Sequence, residues 1–261
     1  MLRLTDVHKA FGELVVLDGV SLEFQQGQTT AIIGPSGTGK SVLLKHLVGL
    51  IHADSGTVEC FGVDMARASE REIYSVRRRF GMLFQDGALF DSMSVGENIA
   101  FPLVHHEKEL SAAQRQERVE QVLEEVELPG FSNRDTAALS GGQRKRVGLA
   151  RAIIHRPEVV LFDEPNSGLD PMTSDAIDAL ILRMKERLGV TFIVISHDIV
   201  GVMNVADQVG MLHGGHLIAY GPPSELVHHP HPMVRRFLSR NLALPKGPQD
   251  PTTLPGLKLQ R

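Results

Sequence analysis

The 261-residue sequence has few of the features that mark metal-binding, secreted or membrane-spanning chains. Its one cysteine, Cys60, can form neither an intrachain disulfide nor a multi-cysteine zinc site. Its longest apolar runs, such as Leu14 to Leu17 and Val159 to Phe162, are far shorter than the ~18 residues of a membrane-spanning helix. Near the N-terminus, charged residues such as Asp6 and Lys9 interrupt any apolar core of a secretory signal. We therefore expect neither a membrane span nor a secretory signal.

The sequence also contains fewer basic than acidic residues. Lys and Arg total 27 against 31 Asp and Glu, so the formal net charge is -4. A chain that binds mainly nucleic acid or an anionic bilayer would favour a basic face instead. With 42% hydrophobic and 22% charged residues, the composition is that of an ordinary globular protein. No repeat with a period of roughly 20 to 50 residues is visible, which excludes solenoids and propellers.

The order of the predicted elements indicates an α/β fold. Short alternating segments between residues 2 and 24 predict a strand-rich start. Compact apolar runs follow at 29–33 and 80–84, and those at 159–162 and 191–195 resemble buried parallel strands. Helical patterns separate these runs, as in α/β proteins. An acidic helical pattern with one apolar stripe leads us to expect a helical insertion over residues 91–155. Four prolines within residues 245–261 predict a flexible tail there.

A glycine-rich loop after the first apolar run is the strongest chemical signal. It matches G-x-x-x-x-G-K-[ST] in the strand, loop and helix context that this motif requires. Such glycines let consecutive backbone N–H groups converge on phosphate oxygens, while Lys40 reaches phosphates and the Ser41 hydroxyl can bind Mg²⁺. The alternative is a glycine turn without a ligand. The predicted nucleotide-binding residues of this phosphate loop are Gly34, Pro35, Ser36, Gly37, Thr38, Gly39, Lys40 and Ser41.

Polar side chains follow several of the predicted strands. Asp163 and Glu164 come directly after the run at 159–162, and ligands bind at the carboxyl ends of parallel strands. Asp163 is therefore a predicted Mg²⁺ ligand, and Glu164 is predicted to polarise an attacking water. A pair of solvated loop acids is the alternative. Gln85 and His197 also follow strands, and we expect both side chains to face the same crevice.

A second serine–glycine turn precedes a helical pattern over residues 144–154. Like the phosphate loop, it places backbone N–H groups at a helix N-terminus, where phosphate binds. One molecule cannot easily use both sites on a single nucleotide. This signature turn consists of Leu139, Ser140, Gly141, Gly142 and Gln143. With these motifs the chain resembles the ATP-binding subunit of an ABC transporter, collinearly from about residue 2 to residue 225.

The resemblance implies a P-loop NTPase (RecA-like) core with an N-terminal antiparallel β subdomain and an inserted α-helical subdomain. Residues 1–244 then form one nucleotide-binding domain, with the helical subdomain at about 91–155. ATP and Mg²⁺ are the implied cofactors. The family forms a head-to-tail dimer in which each ATP lies between the phosphate loop of one subunit and the signature turn of the other. That arrangement explains why one chain carries two phosphate-binding turns.

Further residue roles follow from the resemblance alone. Glu164, His197 and Gln85 are the expected catalytic residues. Phe11 lies where an aromatic residue stacks on adenine, and Asp170 ends a loop that crosses the dimer interface. The expected metal ligands are Ser41, Gln85 and Asp163.

Two short segments are similar to the phospholipid-trafficking (Mla/Mce) branch of this family. They are Gly-Ala-Leu-Phe at 87–90 and the segment 231–238. This branch implies ATP hydrolysis that energises phospholipid transport between membranes and maintains outer-membrane lipid asymmetry, with the subunit at the cytoplasmic face of the inner membrane. The implied partners are a second copy, integral membrane permease chains, a lipid-binding MCE-type protein and small accessory subunits, without nucleic acid.

Three other functions stay open at this point. The first is the ATPase subunit of an ABC importer or exporter for another substrate, since the catalytic motifs do not identify the substrate. A DNA-associated cassette ATPase would carry a long coiled-coil insertion, which is absent between residues 50 and 160. A P-loop kinase would not need the signature turn. The basic residues Arg144, Lys145, Arg146 and Arg151 are interpreted as a solvated or interface face of a helix, in preference to a nucleic-acid site.

Overall fold

The computed structural model describes residues 2–242. The predicted flexible tail, residues 245–261, lies outside the described residues. Within residues 2–242, no helix combines the length and the apolar character needed to cross a membrane.

The strands of the described residues form two sheets. In chain order they are β1 (Leu2–Phe11), β2 (Leu14–Phe24), β3 (Thr29–Ile33), β4 (Ser55–Cys60), β5 (Val63–Asp64), β6 (Phe80–Leu83), β7 (Val159–Asp163), β8 (Thr191–Ile195), β9 (Gln208–His213) and β10 (His216–Gly221). The first sheet is antiparallel with the strand order β2-β1-β4-β5. The second has the order β10-β9-β3-β8-β7-β6 and is parallel except for the β9–β10 pair.

Helices connect most of these strands. In chain order they are α1 (Lys40–Leu47), α2 (Glu70–Arg77), α3 (Val95–His106), α4 (Ala112–Glu125), α5 (Gly141–Ile153), α6 (Pro171–Leu188), α7 (Ile199–Val205), α8 (Pro223–Leu226) and α9 (Pro232–Asn241). The fold is thus the predicted P-loop NTPase type, with an antiparallel β subdomain at the N-terminal end of the chain.

The antiparallel sheet confirms the strand-rich start and extends it. β1 and β2 form a hairpin that turns at Gly12, whose positive φ of 62° favours glycine. Leu2 and Leu4 are buried while the residue between them is exposed, which is the alternation of a half-buried strand. The strands β4 and β5 come from later in the chain and had not been predicted.

The parallel sheet separates two hydrophobic cores. The strands β3 and β8 are buried at every position, as the nearly continuous apolar run predicted for β8. In β3, Ala31 and Ile33 face the core formed with the helices, while Ile32 faces the core shared with α1 and the antiparallel sheet. Because β3, β6, β7 and β8 are mutually parallel, the loops that follow them leave the sheet at one edge. The candidate site lies at that edge.

Three helices lie within the segment predicted as a helical insertion. α4 carries the predicted apolar stripe, with Val119 and Leu123 buried and the rest of its surface largely charged. α5 begins at Gly141, earlier than the predicted start at Arg144, because Ser140 caps it. α5 packs against both α3 and β6, so it connects this segment with the parallel sheet.

Candidate functional site

Two of the three glycines of the phosphate loop occupy positions where a side chain would collide. A Cβ on Gly34 would lie 2.3 Å from the carbonyl oxygen of Leu212, and a Cβ on Gly39 would lie 2.9 Å from that of Val16. Both residues also have positive φ, 147° and 94°. The loop therefore passes close to neighbouring backbone in a conformation that only glycine adopts readily.

The N-terminus of α1 is open for an anion. Its cap residue is Gly39, and no side chain bonds to the N–H groups of the first turn. The buried Lys40 ammonium donates to the carbonyl oxygens of Gly34 (2.9 Å) and Pro35 (3.0 Å), which holds the cation within the loop. Burial lowers the pKa of Lys40, and the nearby carboxylates of Glu164 and Asp163 oppose that shift. Converging N–H groups beside a fixed cation fit a polyphosphate.

Asp163, at the end of β7, lies beside the start of α1. The Ser41 hydroxyl donates to Asp163 Oδ1 over 3.4 Å, so two oxygen atoms are close together at the edge of the sheet. Burial, followed by the charge of Glu164, raises the pKa of Asp163. A hydroxyl and a carboxylate are suitable ligands for Mg²⁺. The structure therefore brings together two of the three predicted metal ligands.

Glu164 is held in an unusual backbone conformation. Its φ is 53°, in the left-handed region that is disfavoured for a residue with a side chain. Its backbone N–H donates to the carbonyl oxygen of Ile195 over 2.8 Å. The carboxylate oxygen Oε2 lies 2.7 Å from His197 Nδ1 and accepts the backbone N–H of His197 at 3.2 Å. Two of the expected catalytic residues, Glu164 and His197, are therefore in direct contact.

Gln85 follows β6 at the same edge of the sheet. Its side-chain amide donates to the Ser167 hydroxyl over 3.3 Å. This bond joins the glutamine loop, residues 84–94 between β6 and α3, to the loop that ends at Asp170. The role of Gln85 as a metal ligand remains a prediction.

The signature turn and Asp170 both cap helices. Ser140 Oγ accepts the backbone N–H of Gln143 at 3.3 Å, and the Gln143 side chain accepts the N–H of Ser140 at 3.0 Å. This reciprocal capping box starts α5 and leaves Ser140 and Gly141 exposed. Asp170 caps α6 by accepting from the backbone N–H and the hydroxyl of Thr173. Their contacts with a nucleotide in a dimer remain predictions.

Phe11 lies at the exposed tip of the β1–β2 hairpin. Its side chain is 49% exposed, and Lys9 Nζ lies 5.4 Å from the ring centroid. The same hairpin reaches the phosphate loop, since Val16 lies against Gly39. An exposed aromatic ring on an element that touches the phosphate loop is compatible with the predicted stacking on adenine.

Lys145 is a residue of the site that sequence reasoning missed. Its side chain is only 3% exposed, so the interpretation of a solvated or interface face is wrong for this residue. Its ammonium donates to the carbonyl oxygen of Glu164 over 3.1 Å. Burial lowers the pKa of Lys145, and carboxylates including Asp86 oppose this. Gly142 and Gly148, three residues to either side on the same helical face, were the available sign that this face is closely packed.

Arg151 is partly buried instead of fully solvated. Its guanidinium donates to the carbonyl oxygens of Gly87 (2.7 Å) and Ala88 (2.8 Å), in the loop after Gln85. Helix α5 therefore contacts both the Glu164 loop and the glutamine loop.

Within residues 2–242, no group of three or more His, Cys, Asp and Glu side chains has a geometry that could hold a metal ion. The one cysteine, Cys60, is buried, and burial raises its pKa to about 12. A thiol with such a pKa is unreactive at neutral pH.

Comparisons with known proteins agree with this site. A family model described as ABC transporter matches residues 17–167. The probable ribonucleotide transport ATP-binding protein Mkl of Mycobacterium leprae is 40% identical over 231 residues, which cover 88% of this chain and 66% of Mkl. The intermembrane phospholipid transport system ATP-binding protein MlaF of Escherichia coli K12 is 39% identical over 238 residues, covering 91% of this chain and 88% of MlaF.

The fold of this chain is also similar to that of a solved ATP-binding cassette. It is the dimeric, post-hydrolysis state of the ATP-binding cassette MJ0796 bound to ADP and Pi, with a TM-score of 0.77 and 30% identity. The alignment covers 85% of this chain and 99% of that one. Since the family model matches more than half of the chain and MlaF aligns along most of its own length, the chain belongs to the ABC transporter family.

Proposed function

We propose that this chain hydrolyses ATP as one half of a head-to-tail dimer and thereby drives a separate membrane permease. The single observation that carries the proposal is the cluster at the edge of the parallel sheet. There the phosphate loop meets Asp163 through Ser41, and Glu164 meets His197. These are the parts that phosphoryl transfer to water requires, namely a phosphate cradle, oxygen ligands for Mg²⁺ and a carboxylate base.

The phosphate loop and Lys40 would bind the β and γ phosphates of ATP. Ser41 and Asp163 would hold Mg²⁺, with Gln85 as a third ligand, and the remaining ligands would come from phosphate and water. Mg²⁺ would neutralise the charge that develops on the phosphates during transfer. Two close protein oxygens beside a phosphate cradle suit this ion, because Mg²⁺ binds through few protein groups.

Glu164 would accept the proton of the attacking water. The water oxygen forms a bond to the γ phosphorus, the bond between that phosphorus and the β,γ-bridging oxygen breaks, and ADP leaves with the bridging oxygen. The contacts from His197 orient Oε2 of Glu164 for this task. A base must lie within hydrogen-bond reach of the proton that it takes. The carboxylate is fixed from the backbone side as well, through the N–H group of Glu164.

The exposed signature turn supports the dimer. Ser140 and Gly141 present the N-terminus of α5 to the surface, so a second copy can offer it to the γ phosphate bound by the first. The similarity to MJ0796, whose structure is described as dimeric, supports the same arrangement. In this proposal residues 1–244 form one nucleotide-binding domain, with a helical subdomain at about 91–155.

Phospholipid is the proposed transport substrate. The support is the 39% identity to MlaF along 88% of that protein, together with the Gly-Ala-Leu-Phe segment after Gln85. The partners would be integral membrane permease chains, an MCE-type lipid-binding protein and small accessory subunits, at the cytoplasmic face of the inner membrane. The 40% identity to Mkl, which is named for ribonucleotide transport, supports another transported substrate as the second candidate.

Two experiments test the proposal. Purified chain is incubated with Mg²⁺ and γ-labelled ATP, and the label is expected in inorganic phosphate; label in a metabolite would indicate a kinase instead. The complex is then isolated from membranes through a tag on this chain, and its bound small molecules are extracted and identified. Co-purified permease chains with phospholipid support the transport proposal, whereas enrichment of ribonucleotides over a control purification supports the second candidate.

A further inference from the structure

Four neighbouring residues hold Glu164 in its left-handed conformation. On one side of the residue, its N–H group donates to Ile195 in the neighbouring strand. On the other side, its carbonyl oxygen accepts from the buried ammonium of Lys145 at 3.1 Å and from the backbone N–H of Ser167 at 3.2 Å. The side chain is held by His197. A left-handed backbone at a residue with a side chain persists only when its surroundings fix it, so each contact matters for the direction of the carboxylate.

The contact from Lys145 comes from the helix that starts at the signature turn. Lys145 lies one turn after Gly141 on α5, and its face of the helix is tightly packed. A Cβ on Gly148 would lie 2.7 Å from Leu83, and a Cβ on Gly142 would lie 2.6 Å from Thr173. The helix therefore cannot shift relative to the Glu164 loop without disturbing these contacts.

We propose that Lys145 is a positioning residue for Glu164: its ammonium fixes the peptide that follows Glu164 and ties the carboxylate to the helix that carries the signature turn. The inference rests on the proposed ATPase function and adds a connection within one subunit. In the proposed dimer, one end of α5 contacts the nucleotide bound by the partner. Lys145 then connects that end with the base that acts on the subunit's own nucleotide.

An alternative role for Lys145 is purely electrostatic, and it can be distinguished from positioning by mutation. The charges of Asp86, Glu164 and Asp163 all act to raise the pKa of Lys145. In the alternative role, the site requires only the positive charge of Lys145 and not its hydrogen bond. Lys145→Gln separates the two roles, because the glutamine amide keeps an N–H donor and loses the charge. Lys145→Met removes both, while an apolar side chain of similar length fills the buried space.

The test compares Lys145→Met, Lys145→Gln and Arg146→Met as purified full-length chains. Arg146 is the matched control, since it lies on the same helix but donates to Val126 and Glu127, away from Glu164. For Lys145→Met we expect a fall in kcat of up to about 100-fold with little change in ATP affinity, as for a misplaced catalytic group. Lys145→Gln should recover most of the turnover, and Arg146→Met should keep it.

A second readout does not depend on turnover. Hydrogen exchange of the peptide covering residues 163–167 is measured in the nucleotide-free protein, where the bond from the Glu164 N–H group to Ile195 protects that amide. Lys145→Met should exchange faster there, and Lys145→Gln and Arg146→Met should resemble the wild type. If Lys145→Met does not fold, Lys145→Leu replaces it as the apolar variant.

The outcomes are distinct. Wild-type kcat and exchange in Lys145→Met, or equal losses in Lys145→Met and Lys145→Gln, would overturn the positioning role. Loss of ATP affinity in parallel with kcat would also overturn it. If wild-type chain hydrolyses no ATP, or Glu164→Gln turns over normally, the proposed function fails instead. The exchange measurement would still decide whether Lys145 fixes the Glu164 loop.

Discussion

His197 Nδ1 lies 2.7 Å from Glu164 Oε2, and the backbone N–H of His197 donates to the same oxygen over 3.2 Å. The two residues follow the neighbouring parallel strands β7 and β8. Their contact therefore depends on the register of the sheet, in which Asp163 pairs with Ile195. A side chain held through two hydrogen bonds loses little further freedom when it accepts a proton in the reaction, and such preorganisation favours catalysis.

Replacing Glu164 with glutamine should abolish most ATP hydrolysis while ATP still binds. The amide keeps the size of the side chain but cannot take a proton, and loss of a general base lowers rates by roughly 10² to 10⁴-fold. The measurement is phosphate release under saturating ATP, combined with equilibrium binding of a labelled nucleotide.

Glu158→Gln is the matched control for that variant. Glu158 precedes β7, at the opposite end of the strand from Glu164, and pairs with Arg79. This variant should hydrolyse ATP at the wild-type rate. Normal turnover in Glu164→Gln would remove Glu164 from the reaction and leave the base unassigned.

Asp163→Asn should raise the concentration of Mg²⁺ that ATP hydrolysis requires. Asparagine has nearly the same shape but lacks the charge that attracts the ion. We expect the half-maximal Mg²⁺ concentration to increase by about tenfold or more, equivalent to ~1.4 kcal/mol in binding. A titration of Mg²⁺ at fixed ATP measures this. Asp207→Asn, beside the opposite end of β3, should leave the requirement unchanged, and an unaltered requirement in Asp163→Asn would contradict its role as a ligand.

Much of the site followed from the sequence because strand ends and motifs are local. The runs 29–33 and 191–195 coincide with β3 and β8, and the polar residues after them lie at one edge as predicted. The phosphate loop was recognisable from its residues alone. The function of the signature turn was predictable only from the resemblance to a family, since capped helix N-termini occur in proteins of many functions.

Other features depend on contacts between distant parts of the chain. The strand β4 pairs with β1, and its sequence alternates weakly, so nothing local distinguished it. The predicted start of the helix was Arg144, yet the capping box of Ser140 starts α5 at Gly141, although glycine is a poor helix former. The burial of Lys145 follows from the packing of α5 against the loop after β7; Gly142 and Gly148 mark a closely packed face but do not identify what packs against it.

Glu127→Gln should destabilise the folded protein near neutral pH. Glu127 pairs with Arg146 of α5 and Arg183 of α6, and these contacts hold the pKa of its carboxyl below the ordinary value of 4.5. Half of the side chain is exposed, so solvent screening limits the expected loss to about 1 kcal/mol in the free energy of unfolding. Urea denaturation at pH 7 measures the difference.

The pH dependence of this difference has a definite sign. A carboxyl with a depressed folded pKa contributes stability that is fully present above its unfolded pKa and is lost as the pH falls through the folded value. The gap between wild type and Glu127→Gln should thus be constant from pH 7 to about pH 5.5 and shrink below the ordinary value of 4.5. Glu124→Gln, an exposed acid on α4, serves as the control. A gap that widens in acid would exclude these ion pairs as its cause.

Ser140→Ala should prevent the ATP-dependent dimer. In the single chain, Ser140 caps α5 together with Gln143, so the variant loses about 1 kcal/mol of stability as any serine N-cap does. In the proposed dimer, the hydroxyl and the N–H groups of this turn also bind the γ phosphate on the partner. The measurement is molar mass by light scattering, with and without ATP, in chains that also carry Glu164→Gln so that ATP is not consumed.

Ser111→Ala separates the two effects because Ser111 caps α4 in the same way. Its hydroxyl accepts the N–H of Gln114 at 3.2 Å, and the Gln114 side chain accepts the N–H of Ser111 at 2.9 Å. Both variants should lose a similar amount of stability, whereas only Ser140→Ala should remain monomeric with ATP. Dimerisation of Ser140→Ala to the wild-type extent would mean that the signature turn acts only as a helix cap, and the shared nucleotide site would have to be abandoned.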